Sequence, residues 1–323
     1  MIKGFWGEIK KPIMALAPMA DVTDPPFRYI IAKYGKPDVM FTEFVACDGL
    51  LSVGKERILK NVAYSENEHP IVLQIFGGKP DNFRKCAILA RELGFDGIDI
   101  NMGCPDKSVE KQGGGASLMK NPQLAQDIIK ATQDGAENVP VSVKTRIGYN
   151  SDQLQEWIPA LLETNIPAIT VHLRTRKEMS KVSAHWEKMK DIVVLRDVIQ
   201  RETIILGNGD VESVLDAHKK IKETGADGIM LGRAVYGNPW LFSKTVSKQN
   251  LSTKYILDAL VEHTKAYDEL MGGIKNFAVM KRHFKAYVQG FLGAKELRME
   301  LMKTRNAVEV EEKIQQFFKL SKL

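Results

Sequence analysis

Three side chains stand out as able to do chemistry: a cysteine at the end of a strand, a lysine within one, and a histidine two residues before an arginine. Cys104 closes the stretch Gly97-Ile-Asp-Ile-Asn101-Met-Gly103-Cys104-Pro105. Ile98 and Ile100 alternate with Asp99 and Asn101, which reads as a strand. Gly103 and Pro105 end it, because proline cannot donate to a ladder and pushes the preceding residue toward extended geometry. The thiol is thereby fixed at a strand's C-terminal edge by a stiff turn. Lys144, in Val141-Ser-Val-Lys144-Thr-Arg146, points from the wall of another strand. A lysine there is costly unless it pairs or works. Three roles fit it: Schiff base, general base, or counter-charge to an electron-rich cofactor.

Such residues act together only if the chain brings them to one place, and the strand pattern does so. Apolar strands are expected at 13–20, 39–44, 71–78, 97–102, 141–148, 168–174, 203–210 and 228–234, each followed by a helical pattern. Asp24-Pro25-Pro26 opens the first helix, and Asn121-Pro122 reads as N-cap and first helical position of another, reaching about residue 135. Eight strand–helix units, most strands apolar on both faces, predict an α/β fold of the (β/α)8 TIM-barrel type. The first strand's turn, Ala17-Pro18-Met19-Ala20, lacks the glycine fingerprint of a doubly wound sheet. Beyond Pro239-Trp-Leu-Phe242 the strands cease. Helical spacing over 255–270, 277–291, 295–304 and 308–320 predicts a small C-terminal all-α helical-bundle domain. The expected division is a barrel over 1–247 and a helical unit over 251–323.

In a barrel the C-terminal strand ends carry the chemistry. Here they supply Pro18 and Met19, Glu43, Gln74, Asn101 with Cys104, Lys144 with Arg146, His172 with Arg174, Asn208 with Asp210, and Gly232 with Arg233. The glycine-rich ends Gly207-Asn208-Gly209-Asp210 and Gly232-Arg233 fall where barrels bind phosphate, and a guanidinium suits that anion. The small apolar first rim suits a flat ring. With Gln74 as a hydrogen-bond partner and Lys144 to offset negative charge, a flavin is favoured over a Schiff base.

The composition is that of an ordinary globule, 44% apolar and 27% charged, with no apolar run long enough for a membrane helix. The start, Met1-Ile-Lys-Gly-Phe-Trp-Gly-Glu, lacks a signal-peptide pattern, so a cytoplasmic location is expected. Cys47, Cys86 and Cys104 show neither a disulfide framework nor metal-ligand spacing, and no metal is expected. Cys86 falls at core spacing on a helix. The net charge is +6; residues 251–323 carry thirteen Lys and Arg against nine Asp and Glu, which hints at a polyanionic partner.

Taken in order, Ala17-Pro18-Met19-Ala20, Asp24-Pro-Pro-Phe27-Arg28, Gln74-Ile-Phe-Gly77, Asp99-Ile-Asn101-Met-Gly-Cys104-Pro105, Lys144-Thr-Arg146, His172-Leu-Arg174-Thr-Arg176, Gly207-Asn-Gly-Asp210 and Gly232-Arg233-Ala resemble the tRNA-dihydrouridine synthases. Gly237-Asn-Pro-Trp240 continues the match, and Lys281-Arg282-His283-Phe284, with Tyr287 and Gly290, resembles that family's helical RNA-binding domain. The resemblance implies FMN held by Pro18, Met19, Ala20, Gln74, Lys144, His172, Asn208, Gly209, Asp210, Gly232 and Arg233. It implies reduction of the C5=C6 bond of specific tRNA uridines to 5,6-dihydrouridine, with NADPH (or NADH) recharging the flavin and Cys104 as proton donor. Hydride arriving at C6 leaves charge at C5, and a thiol protonated at neutral pH can supply the proton there. Asn101, Arg174, Arg176, Lys281, Arg282, Lys285 and Arg298 are then expected to face the flipped base or the RNA. The stretch 106–115 is expected to be a long flexible loop that closes over the base. The sequence departs from the family where Leu173 replaces the usual glycine, and in the segment before Ala184-His185-Trp186. No protein partner is evident. The competing readings are an FMN barrel acting on a small molecule and an RNA-binding barrel without catalysis.

Overall fold

The structure, a computed structural model, describes residues 2–321; the outermost positions of the two expected units, 1, 322 and 323, lie outside the described residues. Nine parallel strands form one sheet: β1 (Ile13–Leu16), β2 (Met40–Phe41), β3 (Val45–Ala46), β4 (Ile71–Phe76), β5 (Gly97–Met102), β6 (Val141–Arg146), β7 (Ala168–His172), β8 (Ile204–Asn208) and β9 (Gly228–Leu231). The order is β1-β9-β8-β7-β6-β5-β4-β2, with β3 also on β4, and a bridge between Ala15 and Val39 closes the ring. These are eight staves. The expected second strand is broken in two, because the Thr42 hydroxyl turns inward to accept from Gln74 N and donate to Glu43 O.

The strand interiors divide chemically. Trp6, from a 3-10 turn at Gly4–Gly7, caps a buried apolar cluster with Ile13, Ala15, Phe41, Val72, Ala168, Ile204, Leu206 and Met230. Strands β5 and β6 add nothing to this cluster: Asp99, Asn101, Ser142 and Lys144 alternate with Ile98, Ile100, Val141 and Val143. The apolar set packs outward against the helices, among them Pro80–Glu92, Pro122–Ala136, Leu154–Leu162 and Met189–Ile199. That alternation points polar side chains of two neighbouring strands into the barrel.

Caps begin the helices where the sequence puts them. Asp24 accepts from Phe27 N before Pro25–Gly35, Asn121 from Leu124 N before Pro122–Ala136, and Ser252 from Tyr255 N before Thr253–Met271. The C-terminal helices Thr253–Met271, Lys281–Tyr287, Ala294–Leu301 and Ala307–Ser321 pack around their own buried core with Trp240. The single helix expected over 277–291 is instead a 3-10 turn, Phe277–Met280, and a short helix that ends before Gly290 and Gly293, both at positive φ. The stretch 106–115 is likewise not a bare loop. Asp106 caps a helix at Lys107–Lys111, and a 3-10 helix follows at Gly115–Lys120. Gly115, at φ +60, sits where a Cβ would lie 2.7 Å from Cys104 O. Among the described residues no helix is long and apolar enough to cross a membrane.

Candidate active site

The polar wall of β4, β5 and β6 is one hydrogen-bonded chain. Ser142 Oγ and Gln74 Nε2 each donate to the Asp99 carboxylate at 2.6 Å. Asn101 Nδ2 donates to Gln74 Oε1 at 3.0 Å, and Asn101 Oδ1 accepts from Gly103 N at 3.2 Å and Cys104 N at 2.9 Å. Cys104, half-buried, thus leaves the strand on a turn held from inside the barrel. Burial pushes its thiol above the ordinary range, against the Asp106 N–H and the nearby Lys144 and Arg146 charges. Among the described residues no histidine hydrogen-bonds to it.

Across the barrel mouth lies a cavity of about 700 Å3 lined by Ala17, Pro18, Met19, Lys144, His172, Asn208, Gly209, Asp210, Gly232 and Arg233, with Ser180, Val211, Glu212, Met230 and Ala234. Lys144 keeps some surface toward it, yet its ammonium is crowded by protein, and its hydrogen-bond partner among the described residues is Asn208 Oδ1, at 3.3 Å. Burial, helped by Arg146, draws its pKa down to about 8. His172 is held far below its ordinary pKa by burial, then by Arg146, Lys144, Arg174 and Arg233. It is therefore neutral, and its Nε2 accepts from Arg174 Nη1 at 3.0 Å. Asp210, at φ +46, takes a left-handed turn that Asp tolerates. Its carboxylate binds Arg174 and, at 2.6 Å, Arg233 Nη2, and accepts from Ala184 N. The hydrogen bond to Arg174 holds Asp210 below the usual carboxylate range.

The expected residues therefore separate into groups. Of those the resemblance assigned to FMN, nine line the cavity; Ala20 lies exposed beside it and Gln74 is fully buried in the wall. Arg174 does not face outward to RNA. It is 2% exposed, because Asp210, His172 and Val182 O hold its guanidinium at the barrel mouth. Arg176 is tied by two hydrogen bonds to Glu110, whose carboxylate also accepts from Tyr149 Oη. Arg282 donates to Asp21 O, and Arg298 to Val288 O. Among the described residues, no ion pair or side-chain hydrogen bond engages Lys281 or Lys285. Leu173 is fully buried, and its N–H bonds Asn208 O. Cys47 and Cys86 are both buried, Cys86 donating to Cys47 O.

Sequence reading missed Ser142 and Glu110 altogether and left Asp99 without a task. Nothing in the local pattern marks them. Asp99 and Ser142 are interior only because strand register pairs them with each other and with Gln74.

The family model for dihydrouridine synthase matches residues 15–322. A protein named probable tRNA-dihydrouridine synthase 2 from Bacillus subtilis is 42% identical over 313 residues, 96% of this chain and 95% of its own. A probable tRNA-dihydrouridine synthase from Staphylococcus aureus is 40% identical over 320 residues, 98% of this chain and 96% of its own. Among solved structures, morphinone reductase in complex with tetrahydroNAD aligns at TM-score 0.53 and 12% identity, over 73% of this chain and 87% of its own. An old yellow enzyme homologue from Zymomonas mobilis aligns at 0.50 and 14%, over 72% and 89%. At those identities the likeness is one of barrel fold.

Proposed function

The chain belongs to the dihydrouridine synthase family, and from that premise we propose that it reduces the C5=C6 bond of tRNA uridines using FMN and NADPH, with Cys104 as proton donor. The cavity fits FMN on its own chemistry. A buried ammonium with an amide oxygen but no carboxylate for partner suits an anionic ring, and Ala17, Pro18, Met19 and Met230 give that ring an apolar bed. Lys144, His172, Asn208, Pro18 and Met19 would hold the ring end, with Ala20 beside them and Gln74 behind them in the wall; Gly209, Gly232, Arg233 and the backbone N–H of Asp210 would hold the phosphate. Bound there and reduced by NADPH, FMN would supply hydride chemistry for uracil C6.

What this chain adds is the proton and the fit. Cys104 Sγ–H protonates C5, and the resulting thiolate regains a proton from water. Arg233, held by Asp210, presents a guanidinium to the anion end of the cavity, and Arg174 braces Asp210 from behind. We assign catalysis to the barrel, 1–247, and tRNA grip to the helical unit, 251–323, in a cytoplasmic enzyme; Lys281 and Lys285 would meet the RNA directly, while Asn101, Arg174, Arg176, Arg282 and Arg298, each held within the chain, would shape the substrate side. Arg174 and Arg176 serve there through the shape of the barrel mouth.

The observation that carries the reading is the half-buried thiol held on its turn near a cavity into which Lys144 brings an ammonium whose hydrogen-bond partner is an amide oxygen. Incubation with NADPH and unmodified tRNA should yield uridine heavier by two hydrogens, and the protein should carry flavin absorbance. Cys104→Ala should retain the flavin and lose about 10²–10⁴-fold in tRNA turnover, the usual weight of a general acid. Wild-type turnover in that variant would refute the role. Reduction of a small enoate or pyrimidine in place of tRNA would favour the small-molecule barrel.

A further inference from the structure

The wall of β4, β5 and β6 holds a carboxylate that touches neither the cavity nor the thiol. Asp99 is 1% exposed, and its two side-chain partners, Gln74 and Ser142, are 0% and 2% exposed. An ionised carboxylate only accepts hydrogen bonds. Gln74 must therefore turn Nε2 toward Asp99, at 2.6 Å, which leaves Oε1 toward Asn101. Asn101 can then offer only Nδ2 to Gln74, at 3.0 Å, and its Oδ1 remains for the N–H groups of Gly103 and Cys104. An acceptor-only group at one end and two donor-only N–H groups at the other agree on the sense of both amides, and the second amide holds the turn that carries the thiol.

We infer that Asp99 is a positioning residue for Cys104: through Gln74 and Asn101 its carboxylate fixes the amide orientation that anchors the Cys104 N–H and aims the thiol. The inference rests on the reading of Cys104 as the proton donor. An amide at position 99 would no longer oppose the reversed sense, leaving the Gly103 and Cys104 N–H groups alone to hold the native one. In the reversed sense Asn101 would present Nδ2 to two N–H donors, which repel it, and the turn would lose its anchor. Desolvation lifts Asp99 to about 6, against hydrogen bonds from Ser142 and Gln74 and the charge of Lys144, so at neutral pH it stays ionised and the sense is fixed.

Asp99→Asn keeps the size of the side chain and removes its direction. The first readout is iodoacetamide alkylation of the flavin-free protein as a function of pH. Cys47 and Cys86 are buried, so the label reports on Cys104. A loosened turn admits water to the thiol, and the apparent pKa of alkylation should move down toward that of a free cysteine. The second readout is the ratio of tRNA turnover to NADPH-driven flavin reduction, which should fall about tenfold or more for a mispaired buried amide. A pure charge effect on Lys144 would instead move flavin reduction and, by weakening the positive charge near the thiol, shift the alkylation profile up rather than down. In Asp99→Asn/Gln74→Glu the carboxylate moves one link along the chain and still accepts from Asn101 Nδ2. Both readouts should then return toward wild type.

A folded Asp99→Asn protein with wild-type alkylation and turnover ratio overturns the inference, as does a folded double variant that recovers neither. Should the single variant not fold, the double variant decides by the same two readouts. Wild-type protein that forms no dihydrouridine retires the functional reading, and the alkylation profiles then decide the positioning by themselves.

Discussion

Lys144 shows at the scale of one residue how a site is kept ready for a ligand at the expense of the empty fold. Its pKa is drawn from 10.5 to about 8 by burial, so an unfolded chain holds the proton more readily than the folded one. The cost is full below pH 8, where both states are protonated, and fades as pH rises from about 8 to 10.5. Lys144→Met should therefore stabilise the flavin-free protein at pH 7 by about 1–3 kcal/mol, measured by urea denaturation, with the gain vanishing above pH 10. The same variant should lose its flavin on gel filtration. Equal stability at both pH values would remove the argument. Lys144 and Cys104 were legible in the sequence because a strand end with Gly, Pro or a buried charge is unusual wherever it occurs. Arg174 was not. Its neighbours in sequence suggest an exposed basic run, and only the fold brings Asp210 and His172 against it.

Elements were legible where a local rule set them. Asp24, Asn121 and Ser252 cap the helices that their spacing announces, and the period-2 alternation of β5 survives intact. The failures lie where long-range contacts override that pattern. The second stave breaks at Thr42, whose hydroxyl serves β4, and residues 107–111 form a helix whose Glu110 binds Arg176 and Tyr149 from two other strand ends. No sequence rule anticipates partners 39 and 66 residues away. The cap at Asp24 has its own tension. One carboxylate oxygen accepts from Phe27 N, while the other is buried without a hydrogen-bond partner, and burial plus the charge of Glu43 lifts the group from 3.8 to about 7. Lys275, Phe27 N–H and Arg28 pull the other way without prevailing. A carboxyl raised in the fold favours folding at low pH, and the benefit falls away as pH climbs from about 4 through 7. Asp24→Asn keeps a good cap and removes the charge. It should raise stability by about 1–3 kcal/mol at pH 8 and by little at pH 4, measured by thermal unfolding at the two values. A gain independent of pH would show that charge is not the cause.

Across the whole molecule, the helical unit meets the barrel through packing of Phe27, Tyr34 and Trp240 and through charge. Lys275 donates to Glu43 at 2.7 Å and lies near Asp21, Arg282 bonds Asp21 O, and Lys33 and Tyr34 of the barrel reach Glu262. Basic residues near the mouth are thus largely consumed in holding the two parts together. Of the cations expected to meet RNA, Arg174, Arg176, Arg282 and Arg298 all have partners within the chain, and Lys281 and Lys285 are the two without one among the described residues. They stand four residues apart on the helix Lys281–Tyr287 and so share a face. Only a cation that releases counterions from phosphate contributes to the salt dependence of binding. Replacing both by alanine should therefore make the slope of log K against log salt shallower by about 1.4–1.8, at roughly 0.7–0.9 per phosphate. Arg298→Ala should leave that slope near its wild-type value, because its guanidinium already serves Val288 O, and should register as lost stability instead. Filter binding of unmodified tRNA from low to physiological salt measures both. A slope that responds to Arg298 and ignores the two lysines would place the RNA on another face of the helical unit.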